Sequence, residues 1–294
     1  MQQLPPPRIA ALHDLSCIGR CALTVILPTL SVMGYQTVPV PTALLSSHTG
    51  GFEDLYFRDL TEDMHGISAH FCRLGLSFRA IYTGFLGSED QISTVKDFIE
   101  NFKNRRDEGG ESPLVLVDPV MGDDGVLYST YTTALAEGMR SLCQLAEVLT
   151  PNLTEACLLT DIPYRDTVHM SDEECALFAR DLFYELEARF GAKRTVITGI
   201  KRANGTVENH GCDGQGNFFV VARPHLAASY PGTGDIFASV LLGRLLGGMD
   251  FCAAVGEASD FVGRVIGASA CISTPVRMGV ALEPQLKYLI TKGE

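Results

Sequence analysis

No run of about 20 apolar residues, the length a helix needs to cross a bilayer, occurs in the 294-residue chain. Candidate stretches such as 240–246 are interrupted by Arg244 and a glycine. No Cys-x-x-Cys pair occurs, and the nine cysteines are an odd number. Cys17 and Cys21 have no second pair or nearby histidine to complete a zinc site, so the reading is reduced, partly buried thiols of a cytosolic protein. Basic charge is scarce: 23 Lys and Arg against 35 Asp and Glu leave a net charge of −12. That balance excludes wrapping nucleic acid or an anionic membrane. A Walker phosphate loop is missing, and so is a Gly-x-Gly-x-x-Gly after the first strand, which removes the P-loop and dinucleotide folds. The opening residues 1–8 are polar and proline-rich without a secretion-signal core, so a soluble, cytoplasmic protein is expected.

What is present is ordinary globular composition, 46% hydrophobic and 20% charged, which excludes a wholly disordered chain. A chain of this length buries roughly 70–75% of its extended surface and needs no covalent staple. Short Val- and Ile-rich runs at 9–12, 37–40, 80–83, 114–117, 147–149 and 195–198 predict strands. Most lack alternation, as strands covered on both faces do. Segments of helical period lie between them at 21–33, 59–74, 88–102, 132–142 and 171–190. Ser88-x-x-Gln91 and Ser171-x-x-Glu174 each fit a capping box. Residues 205–210 and 217–222 flank a glycine-rich 211–216 segment that reads as a hairpin connection; helical segments follow at 235–246 and 251–270. The pattern predicts an α/β fold, a three-layer α/β/α sandwich with a mainly parallel central sheet. Residues 103–112 are too short for a linker, so 1–294 reads as one domain. Ligands of such sheets sit at the carboxyl ends of the strands.

The loops after the strands therefore carry the functional reading. The first strand runs into His13-Asp14-Leu15-Ser16-Cys17-Ile18-Gly19, suited to a small polar ligand or to a turn and helix cap. The second leads into 41–52, where Ser46, Ser47, His48 and Thr49 precede two glycines, as in a ligand-covering loop or a plain surface loop. Asp118, Asp123 and Asp124 follow the fourth strand. Mg2+ takes one or two carboxylates plus phosphate oxygens, and Asp118 is the better ligand; Asp124-Gly125 reads as a turn. Asn152 and Glu155 fit a capping box, a structural role. The strongest segment is 230–239. Gly232 and Gly234 let successive amides face one way, and the apolar run after Asp235 makes this the start of a buried helix, an anion seat. Asp235 is either an N-cap or the carboxylate that accepts a hydroxyl proton in phosphoryl transfer. The helix dipole predicts a lowered pKa for it.

Together, Gly232-Thr233-Gly234-Asp235, Asp118-Pro119-Val120-Met121-Gly122-Asp123 and Thr150-Pro151-Asn152-x-x-Glu155 resemble the motifs of the ribokinase superfamily in order and spacing. Over residues 9–270 the chain is most similar to its vitamin B6 branch, the pyridoxal/pyridoxamine kinases. The 118–123 motif is shared with hydroxymethylpyrimidine kinases, whereas Ser47-His48-Thr49-Gly50 resembles a Ser-Asn-His-Thr segment of pyridoxal kinases.

The resemblance implies ATP-dependent phosphorylation of the 5'-hydroxymethyl group of pyridoxal, pyridoxamine or pyridoxine in B6 salvage. It implies Mg2+ as cofactor, leaves a monovalent-cation requirement open, and suggests a cytoplasmic homodimer acting on a small molecule. In it Asp235 is the base, and the amides of Gly232, Thr233 and Gly234 stabilise the γ-phosphoryl group. Asn152 and Glu155 hold Mg2+ through water and phosphates, with Asp118 near metal and nucleotide. Thr198 and Arg223 contact ATP, and Thr49 lies against the pyridine ring in a substrate loop with Ser47 and His48. The family's serine at the first strand's end has two counterparts here, Asp14 and Ser16. Lys201 or Arg202 meets phosphate charge. Two alternatives stay open: a hydroxymethylpyrimidine kinase, and a non-catalytic B6 or nucleotide sensor.

Overall fold

The computed structural model describes residues 5–128, 131–226 and 228–290, so the first half of the polar opening read above lies outside it. In chain order the elements are β1 (Arg8–Ser16), α1 (Leu23–Val32), β2 (Gln36–Leu45), β3 (Phe57–Asp59), α2 (Thr61–Arg73), β4 (Ala80–Thr83), α3 (Asp90–Phe102) and β5 (Leu114–Val117). There follow β6 (Gly122–Asp123), β7 (Val126–Leu127), α4 (Thr133–Cys143), β8 (Val148–Leu149), α5 (Leu153–Thr160) and α6 (Asp172–Phe190). The chain continues through β9 (Arg194–Lys201), β10 (Thr206–Asp213), β11 (Phe218–Pro224), α7 (Thr233–Leu246) and α8 (Phe251–Cys271).

One nine-stranded sheet runs in the order β11-β10-β9-β8-β5-β4-β1-β2-β3. Its six middle strands, β9 to β2, are parallel, and antiparallel strands close both edges. The parallel strands are apolar on both faces because each face has its own core. Alternate residues of β1 show it: Ala10 and Leu12 join the layer under α2–α6, whereas Ile9 and Ala11 join the layer under α1, α7 and α8. In α3, Ile92, Val95, Phe98, Ile99 and Phe102 recur at helical spacing and are buried, which sets the angle at which the helix meets the sheet. Among the described residues no helix is long and apolar enough to cross a membrane.

The boundaries differ from expectation where ladders outlast hydrophobicity. β1 runs to Ser16 and β2 to Leu45, because the two remain paired from Arg8↔Gln36 to Ser16↔Leu45; the polar stretches read there as loops are largely strand. The 205–222 hairpin is likewise longer, with Gly211 and Cys212 in register with Phe219 and Phe218, so the turn is only 214–217. Asp124 (φ +46°) and Gly125 (φ +80°) make the tight turn joining β6 and β7, as Asp-Gly favours.

Two of the three capping readings hold. Ser171 accepts from the Glu174 amide and Glu174 from that of Ser171, and Asn152 and Glu155 do the same. Ser88 does not cap α3. Its hydroxyl is drawn to Asp59 (2.8 Å), and Gln91 reaches the Gly87 amide and the Thr42 carbonyl, tertiary partners that outcompete the local box. Ser171→Ala should therefore lower unfolding free energy by about 1 kcal/mol in urea titration, with an unchanged slope.

Candidate active site

The start of α7 is set by two glycines with different reasons to be glycine. Gly232 sits at φ +80°, and a Cβ there would meet the Arg20 carbonyl oxygen at 2.2 Å. Both the left-handed turn and the close approach demand the missing side chain. At Gly234 nothing lies within 4 Å of a Cβ position, so no protein atom requires glycine and the space above the first turn stays open. The first helical bond is Ile236 N–H to Gly232 O, and among the described residues no acceptor takes the amides of Thr233, Gly234 or Asp235. Unpaired amides with a helix dipole behind them make an anion seat.

Asp235 lies in this first turn and is fixed from the neighbouring layer. Its Oδ2 accepts the Ala22 amide at 2.8 Å. Ala22 holds φ +48° at the start of α1, a conformation non-glycine residues rarely adopt. The end of β1 supplies the adjacent side chains. A register slip falls between His13 and Leu15, and because β1 is covered on both faces, both His13 and Asp14 are buried. Asp14 accepts a hydrogen bond from Ser16 at 2.7 Å, so the two candidate counterparts of the family serine form one pair.

His13, part of the polar stretch at the end of the first strand, also faces Asp235. Its Nδ1 lies 3.9 Å from Asp235 Oδ1, its ring meets Tyr82 edge-on at 4.2 Å, and Gly84 leaves room for it, since a Cβ there would be 2.3 Å away. It is fully buried, and among the described residues neither ring nitrogen has a partner. Burial lowers its pKa to about 3, so it is neutral. The only signal in sequence was a histidine directly after an apolar strand.

Carboxylates gather opposite. Asp118 directly follows β5, its amide bonded to Thr83 O, and Glu155 turns back beneath the start of α5 to accept the Asn152 (2.8 Å) and Met121 (3.1 Å) amides. Burial and then the Asp235 charge push Asp118 up to about 8. Burial and the Asp118 charge raise Glu155, against its two amide bonds. Asp235 rises to about 7, chiefly by burial, with the Ala22 bond opposing and the Asp14 charge adding. The lowered pKa expected from the helix dipole is thus corrected: removal from water outweighs the dipole.

No Lys or Arg pairs with Asp118, Glu155 or Asp235 among the described residues. Oxygen donors with uncompensated charge fit a hard divalent cation. The three carboxylates do not converge within 4.8 Å, which suits an ion that keeps water ligands.

A cleft of about 400 Å³ adjoins this cluster, lined among others by Asp123, Asn152, Thr154, Thr198, Gly199 and Lys201. Asn152 and Thr198 form a parallel bridge there, and Lys201 pairs with Asp124 at 2.7 Å across it. Thr198 lies within β9, which continues to Lys201. Arg202 is not at the cleft; it is buried against Asp172 and Glu208. Arg223 is held by both oxygens of Asp260 on α8 and does not line the cleft. In the substrate loop Ser47 is buried and Thr49 exposed. His48 is committed to structure: Nδ1 accepts the Gly50 amide, so Nε2 donates to Arg277 O at 2.8 Å.

The raised carboxylates have a consequence for stability. Folded Asp118 and Asp235 keep protons that the unfolded chain, with carboxyls near ~4, has released. Their contribution is complete below that value and is lost as pH rises to about 8 and about 7 respectively. Without divalent cations, unfolding free energy should fall between pH 5 and pH 8. Asp118→Asn should flatten that fall and be more stable than wild type at pH 8 in urea titrations.

The profile of the phosphomethylpyrimidine kinase family matches residues 25–277. A Schizosaccharomyces pombe protein provisionally designated a pyridoxal kinase is 28% identical over 73% of this chain, which spans 61% of that relative's length. The pyridoxine/pyridoxal/pyridoxamine kinase of Bordetella avium is 30% identical, covering 86% of this chain and 81% of its own. A Bacteroides thetaiotaomicron protein provisionally designated a phosphomethylpyrimidine kinase, solved with pyridoxal, superposes with a TM-score of 0.86 at 38% identity over 97% of this chain and 96% of that one. With its parallel sheet, glycine-bounded helix start and facing carboxylates, the chain belongs to the phosphomethylpyrimidine kinase family, in the ribokinase-like pyridoxal kinase group.

Proposed function

We propose that this chain is an ATP-dependent kinase, working as one domain, that phosphorylates the 5'-hydroxymethyl group of a B6 vitamer. The observation that carries the reading is the pairing of a held, half-buried carboxylate, Asp235, with the open amides of the same helix turn. A sensor needs the anion seat but has no use for a base beside it. The similarity to a vitamer kinase and to a protein solved with pyridoxal favours a pyridine alcohol over a pyrimidine one.

Asp235, with a pKa near neutrality, accepts the proton of the hydroxymethyl group as its oxygen attacks the γ-phosphorus. The bond from the γ-phosphorus to the β–γ bridging oxygen breaks and ADP leaves. The amides of Thr233, Gly234 and Asp235 receive the charge on the transferring oxygens, and Gly232 makes the turn that aims them. Asn152 and Thr198 flank the polyphosphate in the cleft, and Lys201 leaves Asp124 to meet its charge. Asp118 and Glu155 would hold Mg2+, directly and through water, and that ion would neutralise the phosphates. Asp14, Ser16, Ser47 and His13 surround the vitamer, with Thr49 and His48 in the loop above it. A homodimer in the cytoplasm completes the proposal.

Asp235→Asn should fold and bind ATP but lose on the order of 10²-fold or more in kcat, read as ADP release. Turnover near wild type would remove the assigned role. Gly234→Ala should melt within about 0.5 kcal/mol of wild type yet raise KM for ATP several-fold; Gly232→Ala should lose stability outright. Parallel assays with pyridoxal, pyridoxamine, pyridoxine and hydroxymethylpyrimidine should give the highest kcat/KM on a vitamer. A higher value on the pyrimidine would transfer the function to the alternative kinase.

A further inference from the structure

On the far side of the cleft wall, Cys175 of α6 meets Glu208 and His210 of β10. The two strand residues are alternate and share the face that α6 covers. One ligand atom from each of the three lies within 4.8 Å of the others. His210 Nε2 is 2.8 Å from Glu208 Oε2, and Cys175 and His210 are more than nine-tenths buried. We propose that Cys175, Glu208 and His210 form a binding site for a borderline-soft divalent ion of the Zn2+ class.

The donor set supports that class. Thiolate, imidazole and carboxylate together are the ligands of Zn2+, whereas Mg2+ and Ca2+ take oxygens. Around a tetrahedral ion at ordinary bond lengths, ligand atoms lie roughly 3.3–3.8 Å apart, so the cluster needs to close by about 1 Å. An ion inserts between His210 and Glu208, replacing their hydrogen bond; the imidazole changes tautomer, so that its proton sits on Nδ1 and Nε2 ligates, and the Cys175 thiol proton is released to solvent. Charge then closes. The dication is matched by one thiolate and one carboxylate, and Arg202, which stands beside Cys175 and 3.8 Å from Glu208 Oε1, gives up the thiol and keeps its pair with Asp172 at 2.6 Å. A water takes the fourth position.

The site joins elements that border the cleft. Arg202 donates to Met170 O, Ala203 N–H to Val168 O, and the Thr167 hydroxyl to Lys201 O; Thr167, Val168 and Lys201 line the cleft. An ion clamping the start of α6 to β10 stiffens the wall without entering the chemistry, so the site stands independently of the kinase reading.

The test uses the full chain, stripped with a chelator and dialysed against Zn2+, or Co2+ as a spectroscopic probe, with excess Mg2+ to saturate the acidic cluster. One tightly held ion per chain is expected, with a thiolate-to-cobalt charge-transfer band and a melting temperature raised by Zn2+. Cys175→Ser, nearly isosteric, should abolish the band, and both it and His210→Gln should weaken Zn2+ binding at least ~100-fold. Retention of no ion by the wild-type chain overturns the proposal. So does survival of band and affinity in Cys175→Ser, which would assign the metal to other cysteines.

Discussion

The hydrogen bond from the Ala22 amide to Asp235 is the constraint on which the rest of the site depends. It joins the start of α1, just past the end of β1, to the start of α7, which arrives more than 200 residues later in the chain. The bond forms only if Gly232 lets α7 begin against the Arg20 carbonyl, and only if Ala22 accepts a left-handed backbone. The strain is local and small beside the layer of buried apolar side chains under α1, α7 and α8 that presses the two helix starts together. Core packing thus supplies the force that holds the Asp235 carboxylate in place.

A second consequence of that packing is electrostatic. The protein carries a net charge of −12 and still buries Asp118 and Glu155 and half-buries Asp235. Desolvation raises all three; the Asp235 charge adds to it at Asp118, the Asp118 charge at Glu155 and the Asp14 charge at Asp235. Such a cluster is poorly suited to stabilising an empty protein, because each carboxylate resists ionisation. It is well suited to a cation and to a base whose proton affinity lies near working pH.

Much of this layout was legible in the residues. Val- and Ile-rich runs placed the middle strands to within a few positions, because strands covered on both faces must be apolar throughout. The α7 start was legible because Gly, Thr, Gly and Asp before an apolar helix have few other uses. Polar strand ends were not. The continuation of β1 through His13 and Asp14 depends on hydrogen bonding to β2, and no periodicity reports a ladder. Ser88 and Gln91 looked like a helix cap and were taken by Asp59 and Thr42, partners 29 and 49 residues away.

By itself the sequence determined a mainly parallel sheet, most of its strands and helices in chain order, and a glycine-bounded turn before α7, since these follow from local composition and backbone freedom; the short β3, β6 and β7 and the helix α5 went unread. Only the tertiary structure decided which groups face one another and in what ionisation state. It made Asp235 a raised carboxyl where its helix position alone argued for a lowered one. It set a neutral, unpartnered His13 beside it, turned Arg202 and Arg223 away from the cleft, and brought Cys175 to Glu208 and His210. The physical reason is that desolvation and pairing depend on what surrounds a group in space, and neighbours in space are seldom neighbours in the chain.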